Sequence, residues 1–180
     1  MQVLAPAKIN LGLRIVGRRE DGYHLLESLF VPIDLADRVA IEPRETGDLE
    51  FHLESDAPGV PVDGSNLAAR AARAFLGAAG IEAGLRLVLE KQIPVGAGLG
   101  GGSSDAAAVL RGLARIYPDA ISPLELRDLA LRLGADVPYF LDPKPALVTG
   151  IGEEIEPLPG IPAFSLLLVY PGVPLATSDV

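Results

Sequence analysis

Five glycines within seven residues stand between a predicted strand and a predicted helix, at Gly96, Gly98, Gly100, Gly101 and Gly102. Glycine lets the backbone approach a ligand closely and take positive φ angles. Free N–H groups at the start of a helix, with the helix dipole behind them, attract anions. Ser103 and Ser104 follow directly and add two hydroxyl groups. The segment from Pro94 to Ser104 therefore predicts a phosphate-binding turn rather than an ordinary flexible loop.

The spacing of the glycines excludes several familiar phosphate loops. No lysine follows them, as the P-loop motif requires. Gly96, Gly98 and Gly101 match G-x-G-x-x-G, but a dinucleotide-binding unit would place a second strand after the helix. Here another helical pattern follows instead, and the later motifs of protein kinases are absent from the sequence.

Hydrophobic patterning predicts an α+β fold. Alternation typical of strands occurs in the ranges 8–15, 38–42, 49–54 and 85–89, and residues 25–35 are apolar but interrupted by Pro32. Helices are expected from Ser65 or Asn66 to Gly80, from about Ser103 to Tyr117, and from Ser122 to Gly134. Short strands are expected at 146–149 and 164–170. Strands gather in the first half and do not alternate regularly with helices, which favours α+β over a doubly wound sheet.

Composition excludes other classes of protein. The chain has 180 residues, no cysteine, two histidines and a net charge of −9. Disulfides, thiolate metal sites and histidine-rich metal sites are therefore excluded. No apolar run approaches the roughly 20 residues of a membrane span, and the N-terminus lacks the pattern of a secretory signal. The acidic charge argues against nucleic acid as a partner. We expect a cytoplasmic protein with a small-molecule ligand and no membrane partner.

Two polar positions are candidates for chemistry. Asp136 follows the helix end at Gly134, where it would serve either as a general base or as the cap of a helical turn over 137–141. Lys8 and Asn10 lie two residues apart on a strand, so they share a face about 7 Å apart. Lys8 would be either a solvated strand lysine or a group that stabilises transferring phosphate.

Aromatic and histidine side chains supply weaker candidates. Tyr23 and His24 sit in a turn after Gly22, where they would either pack as an ordinary loop pair or contact a nucleobase. His52 alternates outward between Glu50 and Glu54, which indicates a solvated strand face. Tyr139, Phe140 and Tyr170 are expected in the core rather than in contact with a ligand.

The glycine turn resembles the second motif of the GHMP kinase superfamily, P-x-G-x-G-L-G-S-S-A-A. Its extended form here, G-L-G-G-G-S-S-D-A-A, is similar to the branch of that superfamily that acts in the methylerythritol phosphate route to isoprenoids. Three further segments resemble motifs of that branch: Ala5–Leu13, Arg19–Leu25 and Leu133–Pro138. The resemblance implies the GHMP kinase N-terminal fold, which is similar to a domain of ribosomal protein S5.

The resemblance also implies an activity. The chain would be an ATP-dependent kinase that phosphorylates the 2-hydroxyl of a diphosphocytidyl methylerythritol, with Mg²⁺ as the accompanying ion. Lys8 and Asp136 would be catalytic, and Asn10, Tyr23 and His24 would bind the acceptor. The ATP phosphates would lie on Pro94, Val95, Gly96, Ala97, Gly98, Leu99, Gly100, Gly101, Gly102, Ser103 and Ser104. Either serine is a candidate ligand for Mg²⁺.

Alternatives remain open beside this interpretation. Another kinase of the superfamily, of the mevalonate or homoserine type, would lack a nucleobase contact at residues 23–24. A non-catalytic nucleotide-binding module would bind ATP without transfer. The resemblance further implies an N-terminal domain over residues 1–150, with residues 151–180 as the incomplete start of a C-terminal domain. The oligomeric state is left open.

Overall fold

The computed structural model describes residues 1–19, 22, 24–45, 47–53 and 59–172. Tyr23, one of the expected acceptor contacts, lies outside the described residues. The elements are β1 (Gln2–Arg18), β2 (His24–Arg44), β3 (Leu49–Leu53), α1 (Leu67–Ala79), β4 (Gly84–Glu90), α2 (Gly101–Ile116), α3 (Pro123–Leu133), β5 (Ala146–Thr149) and β6 (Glu154–Pro157), with a short 3₁₀ helix at Tyr139–Leu141 before β5.

The long strand β2 organises the sheet. It pairs antiparallel with β1 from Arg18↔His24 to Gln2↔Ala40. It also pairs antiparallel with β4 near its end and with β5 near its start. β3 adds to β4 in parallel and β6 adds to β5, which gives the strand order β3-β4-β2-β5-β6 with β1 beside β2. The mixed sheet with three helices confirms the predicted α+β fold.

The three helices follow their predicted signals closely. Asn66, rather than Ser65, caps α1, because its side chain accepts a hydrogen bond from the Ala68 N–H. At α3, Ser122 and Glu125 form the expected capping box. The helix α2 begins at Gly101, two residues earlier than expected, because the left-handed Gly100 serves as its cap. Asp105 is consequently the fifth residue of α2.

One predicted strand is wrong. Residues 164–170 have no strand partner in the described part of the chain, and Leu167 and Val169 are 89% and 78% exposed. Their alternation indicates β-forming side chains, but a strand also requires a neighbour for its backbone hydrogen bonds. β6 is the opposite case: it pairs with β5 although its short polar sequence gave no signal. β6 extends the sheet beyond residue 150. The expected domain boundary at that residue remains a prediction.

The core lies between the sheet and the helices. The helix α2 contacts β1, β2, α1 and α3, and its alanine-rich face is completely buried. Small side chains let the helix approach the sheet, where Val39, Ile41 and Leu87 fill the space. This packing fixes the start of α2, and with it the glycine turn, against the strands that carry Lys8.

No helix in the described part of the chain is long and apolar enough to cross a membrane.

Candidate active site

A single cavity of about 1170 Å³ collects most of the predicted site residues. Residues 94–103 line it, and so do Lys8, Asn10, His24 and Asp136. These groups come from β1, β2, the glycine turn and the turn before the 3₁₀ helix, so only the folded chain brings them together. Ligand cavities commonly measure about 300–1,000 Å³. This one is wide enough for more than one small molecule.

The glycine turn combines left-handed glycines with carbonyl groups that accept hydrogen bonds from the rest of the protein. Its glycines at 96, 98 and 100 have φ of 71°, 71° and 73°, the left-handed region that glycine tolerates. Several of its carbonyl groups are held by the protein: Val95 accepts from the Tyr170 hydroxyl, Gly98 from Lys8 Nζ and Leu99 from the Lys8 N–H.

The backbone N–H groups of residues 101–103 find no acceptor within the described residues, as expected for the first turn of a helix. The turn thus presents free hydrogen-bond donors at the N-terminus of α2.

The two serines of the turn have different surroundings. Ser103 is half-buried and lines the cavity. Ser104 is completely buried, and its hydroxyl donates a hydrogen bond of 2.7 Å to the Pro6 carbonyl on β1. Its N–H is also used, by the Gly100 carbonyl. Ser103 is therefore the serine that the structure brings to the ligand space, whereas Ser104 ties α2 to β1.

Lys8 lies at the centre of the cavity wall. Its Nζ donates to Asn10 Oδ1 at 2.6 Å and to the Gly98 carbonyl at 3.0 Å. It lies 4.0 Å from Asp136 Oδ2 and 4.6 Å above the Phe30 ring. Burial lowers the pKa of Lys8, and the Asp136 carboxylate opposes that shift. Lys8 is a buried, positioned ammonium rather than a solvated strand lysine.

Asp136 faces Lys8 from a turn that other segments support. Its side chain is 35% exposed, so it is open to a ligand from the cavity. The following residues Tyr139 and Phe140 pack edge-on against each other, and Tyr139 packs against Phe30 under Lys8. Gly152 approaches the turn closely, since a Cβ there would lie 3.7 Å from Asp136 Oδ1. The turn that carries Asp136 therefore has packed neighbours, while its carboxylate stays partly exposed to the cavity.

The acceptor-side candidates meet the cavity at one end of the β1–β2 pair. Asn10 donates to Ser28 Oγ at 3.0 Å while it accepts from Lys8, so its amide orientation is set. His24 is exposed at the start of β2 and lines the cavity with Leu13 and Ile15. His52 is exposed on β3 next to Glu50, as its pattern indicated.

Tyr139, Phe140 and Tyr170 were all expected in the core, and the first two are found there. Tyr170 is half-buried, and its hydroxyl holds the glycine turn through Val95. The hydroxyl of Tyr139 finds no partner within the described residues, and burial raises its pKa.

The sequence analysis missed two groups that line the cavity. One is the start of α1, which contributes Ser65, Asn66, Leu67 and Arg70. Its cap pattern was recognised, but nothing in the pattern showed that this end of the helix faces a ligand space. The other is a buried ion cluster of Lys91, Asp37 and Asp105, of which Lys91 and Asp105 line the cavity. A charged residue embedded in the alanine-rich start of α2 was the signal that could have found Asp105.

One carboxyl group of the ion cluster, that of Asp105, has a shifted pKa. Burial raises the pKa of Asp105 to about 7, although the Lys91 ammonium lowers it. A carboxyl whose pKa is raised from 3.8 binds its proton more tightly in the folded chain. Its contribution to the stability of the fold is therefore complete below about pH 4 and is lost as the pH rises through about 7.

We expect Asp105→Asn to stabilise the fold at pH 8 by about 1–3 kcal/mol, because the amide keeps a hydrogen-bond acceptor for Lys91 without a buried charge. At pH 5 the difference should nearly vanish, since Asp105 is then protonated. Urea unfolding at both pH values measures it, with the exposed Asp142→Asn as the control. A stability difference independent of pH would contradict the shifted pKa.

Comparison with known proteins shows which protein family this chain resembles. The family model described as "GHMP kinases N terminal domain" matches residues 66–142. The 4-diphosphocytidyl-2-C-methyl-D-erythritol kinase of Methylacidiphilum infernorum is 52% identical over 174 residues, which are 96% of this chain and 60% of the relative. The kinase of the same name from Thermus thermophilus is 48% identical over 177 residues, 98% of this chain and 60% of its own length. The chain thus spans about 60% of the length of these curated relatives.

Solved structures agree in fold. A crystal structure of 4-(cytidine 5'-diphospho)-2C-methyl-D-erythritol kinase matches with a TM-score of 0.76 and 52% identity, over 88% of this chain and 55% of that one. A homoserine kinase from Cytophaga hutchinsonii matches with a TM-score of 0.67 at 20% identity, over 88% of this chain and 51% of its own. The second likeness concerns the fold alone.

Proposed function

Because this chain belongs to the GHMP kinase superfamily and carries its N-terminal domain, we propose that it is a kinase. It transfers the γ-phosphoryl group of ATP to the 2-hydroxyl of 4-diphosphocytidyl-2-C-methyl-D-erythritol. One observation carries the proposal: the free N–H groups of the glycine turn, the Lys8 ammonium and the Asp136 carboxylate line the same cavity. Phosphoryl transfer depends mainly on positioning and electrostatic stabilisation. These three groups supply both.

The glycine turn would hold the triphosphate. Residues 96–103 present backbone donors at the N-terminus of α2, where the helix dipole favours negative charge. Lys8 connects this anion site to the reacting centre, since its Nζ contacts the Gly98 carbonyl and also lies 4.0 Å from Asp136. The terminal phosphate of a bound ATP would thus lie beside Lys8.

Asp136 would act as the general base. The 2-hydroxyl oxygen attacks the γ-phosphorus, the bond between that phosphorus and the oxygen bridging to the β-phosphate breaks, and ADP leaves with the bond's electrons. The hydroxyl proton passes to the Asp136 carboxylate. Lys8 offsets the negative charge on the transferring group, and Asn10 keeps the ammonium aimed at it through the 2.6 Å hydrogen bond.

Mg²⁺ would accompany the nucleotide substrate and would neutralise part of its phosphate charge. No cluster of acidic or histidine side chains that could hold a metal ion occurs among the described residues. A site supplied chiefly by the phosphates fits that finding. Of the two serines, Ser103 lines the cavity and would be the protein ligand.

The acceptor would occupy the end of the cavity formed by β1 and β2. Leu13 and Ile15 are 51% and 59% exposed there, and His24 stands beside them. An apolar surface with an imidazole at its edge suits a nucleobase, which stacks on flat apolar area and hydrogen-bonds through its rim. Tyr23 belongs to the same proposed contact from its place in the sequence. The proposed domain from residue 1 to 150 contains all of these residues.

Phosphoryl transfer from labelled ATP to a panel of acceptors tests this function. We expect kcat/KM for the diphosphocytidyl methylerythritol to exceed that for mevalonate or homoserine by more than about 100-fold, because only the former carries a nucleobase. Comparable transfer to mevalonate or homoserine would assign the chain to another kinase type. ATP binding without transfer to any acceptor would support a non-catalytic nucleotide-binding module instead.

A further inference from the structure

A buried cluster of three charged side chains lies just behind the glycine turn. Lys91 Nζ pairs with Asp37 Oδ2 and, at 2.7 Å, with Asp105 Oδ2. The three side chains are 4%, 0% and 3% exposed in the order Lys91, Asp37, Asp105. None of them has a role in the proposed phosphoryl transfer. Their placement therefore calls for a separate explanation.

The cluster joins the two ends of the turn. Lys91 follows β4 and lies three residues before Pro94, where the turn begins, and Asp105 lies in α2 directly after the turn. Asp37 on β2 holds the entrance a second time, because its Oδ1 accepts the N–H groups of Gln92 at 2.5 Å and Ile93 at 2.8 Å. Asp37 thus binds the start of residues 92–104 directly. Lys91 connects the same carboxylate to Asp105, which follows the other end.

Close packing at the start of α2 strengthens this arrangement. A Cβ at Gly101 would lie 3.2 Å from Lys91 Nζ and 3.0 Å from Ile93 Cγ2. The ammonium therefore rests directly against the helix terminus whose N–H groups are free. A displacement of Lys91 would change the position of those donors.

Stability alone does not account for such a cluster. Apolar side chains of similar volume often replace a buried ion pair without loss of stability, because charges lose their hydration on burial. Apolar side chains would not supply fixed, directional contacts. Here such contacts set the distance between the end of β4 and the start of α2. One carboxylate oxygen, Asp105 Oδ1, finds no partner within the described residues, so the cluster is not optimised for hydrogen bonding alone.

We propose that Lys91 is a positioning residue that, with Asp37 and Asp105, clamps the two ends of the glycine turn so that its N–H groups converge on the triphosphate. The proposal rests on the proposed function for the identity of the anion. The clamp itself is a property of the unliganded chain. Its action is on nucleotide binding, and the acceptor end of the cavity lies outside its reach.

Three variants test the clamp. Lys91→Met removes the ammonium and leaves two buried carboxylates, so it also weakens folding. The triple variant Lys91→Met with Asp37→Asn and Asp105→Asn leaves no buried charge, and its residue 37 still accepts the N–H groups of residues 92 and 93. Lys144→Met is the matched control, because Lys144 is 61% exposed and pairs only with Asp142 among the described residues.

Amide hydrogen exchange of the unliganded chain gives the first measurement. In the triple variant we expect the hydrogen-bonded amides at the start of α2, residues 104–108, to exchange about tenfold faster, with peptides of α3 unchanged. Lys144→Met should match the original chain. Uniformly faster exchange across all peptides, or unchanged exchange at the start of α2, would overturn the clamp. This result does not depend on any nucleotide.

Nucleotide binding gives the second measurement. The triple variant should raise the Kd and KM for ATP at least tenfold and leave the KM of the acceptor within about twofold, a split that general loss of structure would not produce. Unchanged ATP affinity in that variant would also overturn the clamp. If the original chain itself bound no ATP, the proposed function would fail, and the exchange measurement would still decide whether Lys91 holds the turn.

Discussion

Replacement of Asp136 by asparagine is expected to reduce turnover by about 10³-fold or more while ATP affinity stays within about twofold. The amide has nearly the same shape but does not accept the hydroxyl proton, and a positioned general base contributes about 10²–10⁴ to the rate. The nucleotide contacts come from the glycine turn, on the other side of Lys8. The loss should therefore appear in kcat.

The assay conditions matter for this variant. Asp136 raises the pKa of Lys8 against the effect of burial, so its removal lowers that pKa further. Turnover should therefore be compared at several pH values, with ATP titrated by calorimetry in parallel. Asp142→Asn is the matched control, because that carboxylate is 74% exposed and lies six residues further along the chain. More than about a tenth of the original turnover in Asp136→Asn would remove the base assignment.

Gly100→Ala is expected to have the largest effect of any single methyl group on the turn. Gly100 has φ of 73°, which costs a residue with a Cβ about 1–2 kcal/mol. The new Cβ would also lie 2.7 Å from Phe140 Cζ and 3.4 Å from Lys8 Cγ. Overpacking of a buried contact adds about 1–3 kcal/mol. We expect the free energy of unfolding to fall by about 2–5 kcal/mol and the Kd for ATP to rise at least tenfold.

Gly102→Ala is the control that distinguishes the effect of the Gly100 position from the general effect of replacing a glycine of the turn by alanine. Gly102 lies in the first turn of α2 with ordinary helical geometry, and an added Cβ would meet nothing within 4 Å. Alanine is the better helix former by about 1 kcal/mol, so this variant should unfold at the same urea concentration as the original chain or a higher one. Equal unfolding midpoints for Gly100→Ala and the original chain would show that the turn does not have the geometry described here.

The helices and the glycine turn were predictable because their signals are local. A capping box at Ser122, an amide cap at Asn66 and the run of glycines each act within a few residues of the chain. The same holds for the shared face of Lys8 and Asn10, which the structure joins by a hydrogen bond. Alternation along a strand fixes which side chains face together, whatever the rest of the fold does.

The remaining features depend on contacts between distant segments. Residues 164–170 have a strand pattern but no neighbouring strand in the described part of the chain. Lys91 looks like a surface lysine in sequence, and only the pairing of β2 with β4 brings it to Asp37, 54 residues away. The distance between Lys8 and Asp136 likewise follows from how α2 and the aromatic side chains pack, which no periodicity encodes.

A crystal structure of the chain with a non-hydrolysable ATP analogue tests the central assignment most directly. The triphosphate should lie against the N–H groups of residues 96–103, with its terminal phosphate within about 4 Å of Lys8 Nζ, the range of a charge-assisted contact. Asp136 should remain open on the acceptor side of that phosphate. A triphosphate bound away from the glycine turn, or a terminal phosphate remote from both Lys8 and Asp136, would contradict the assignment.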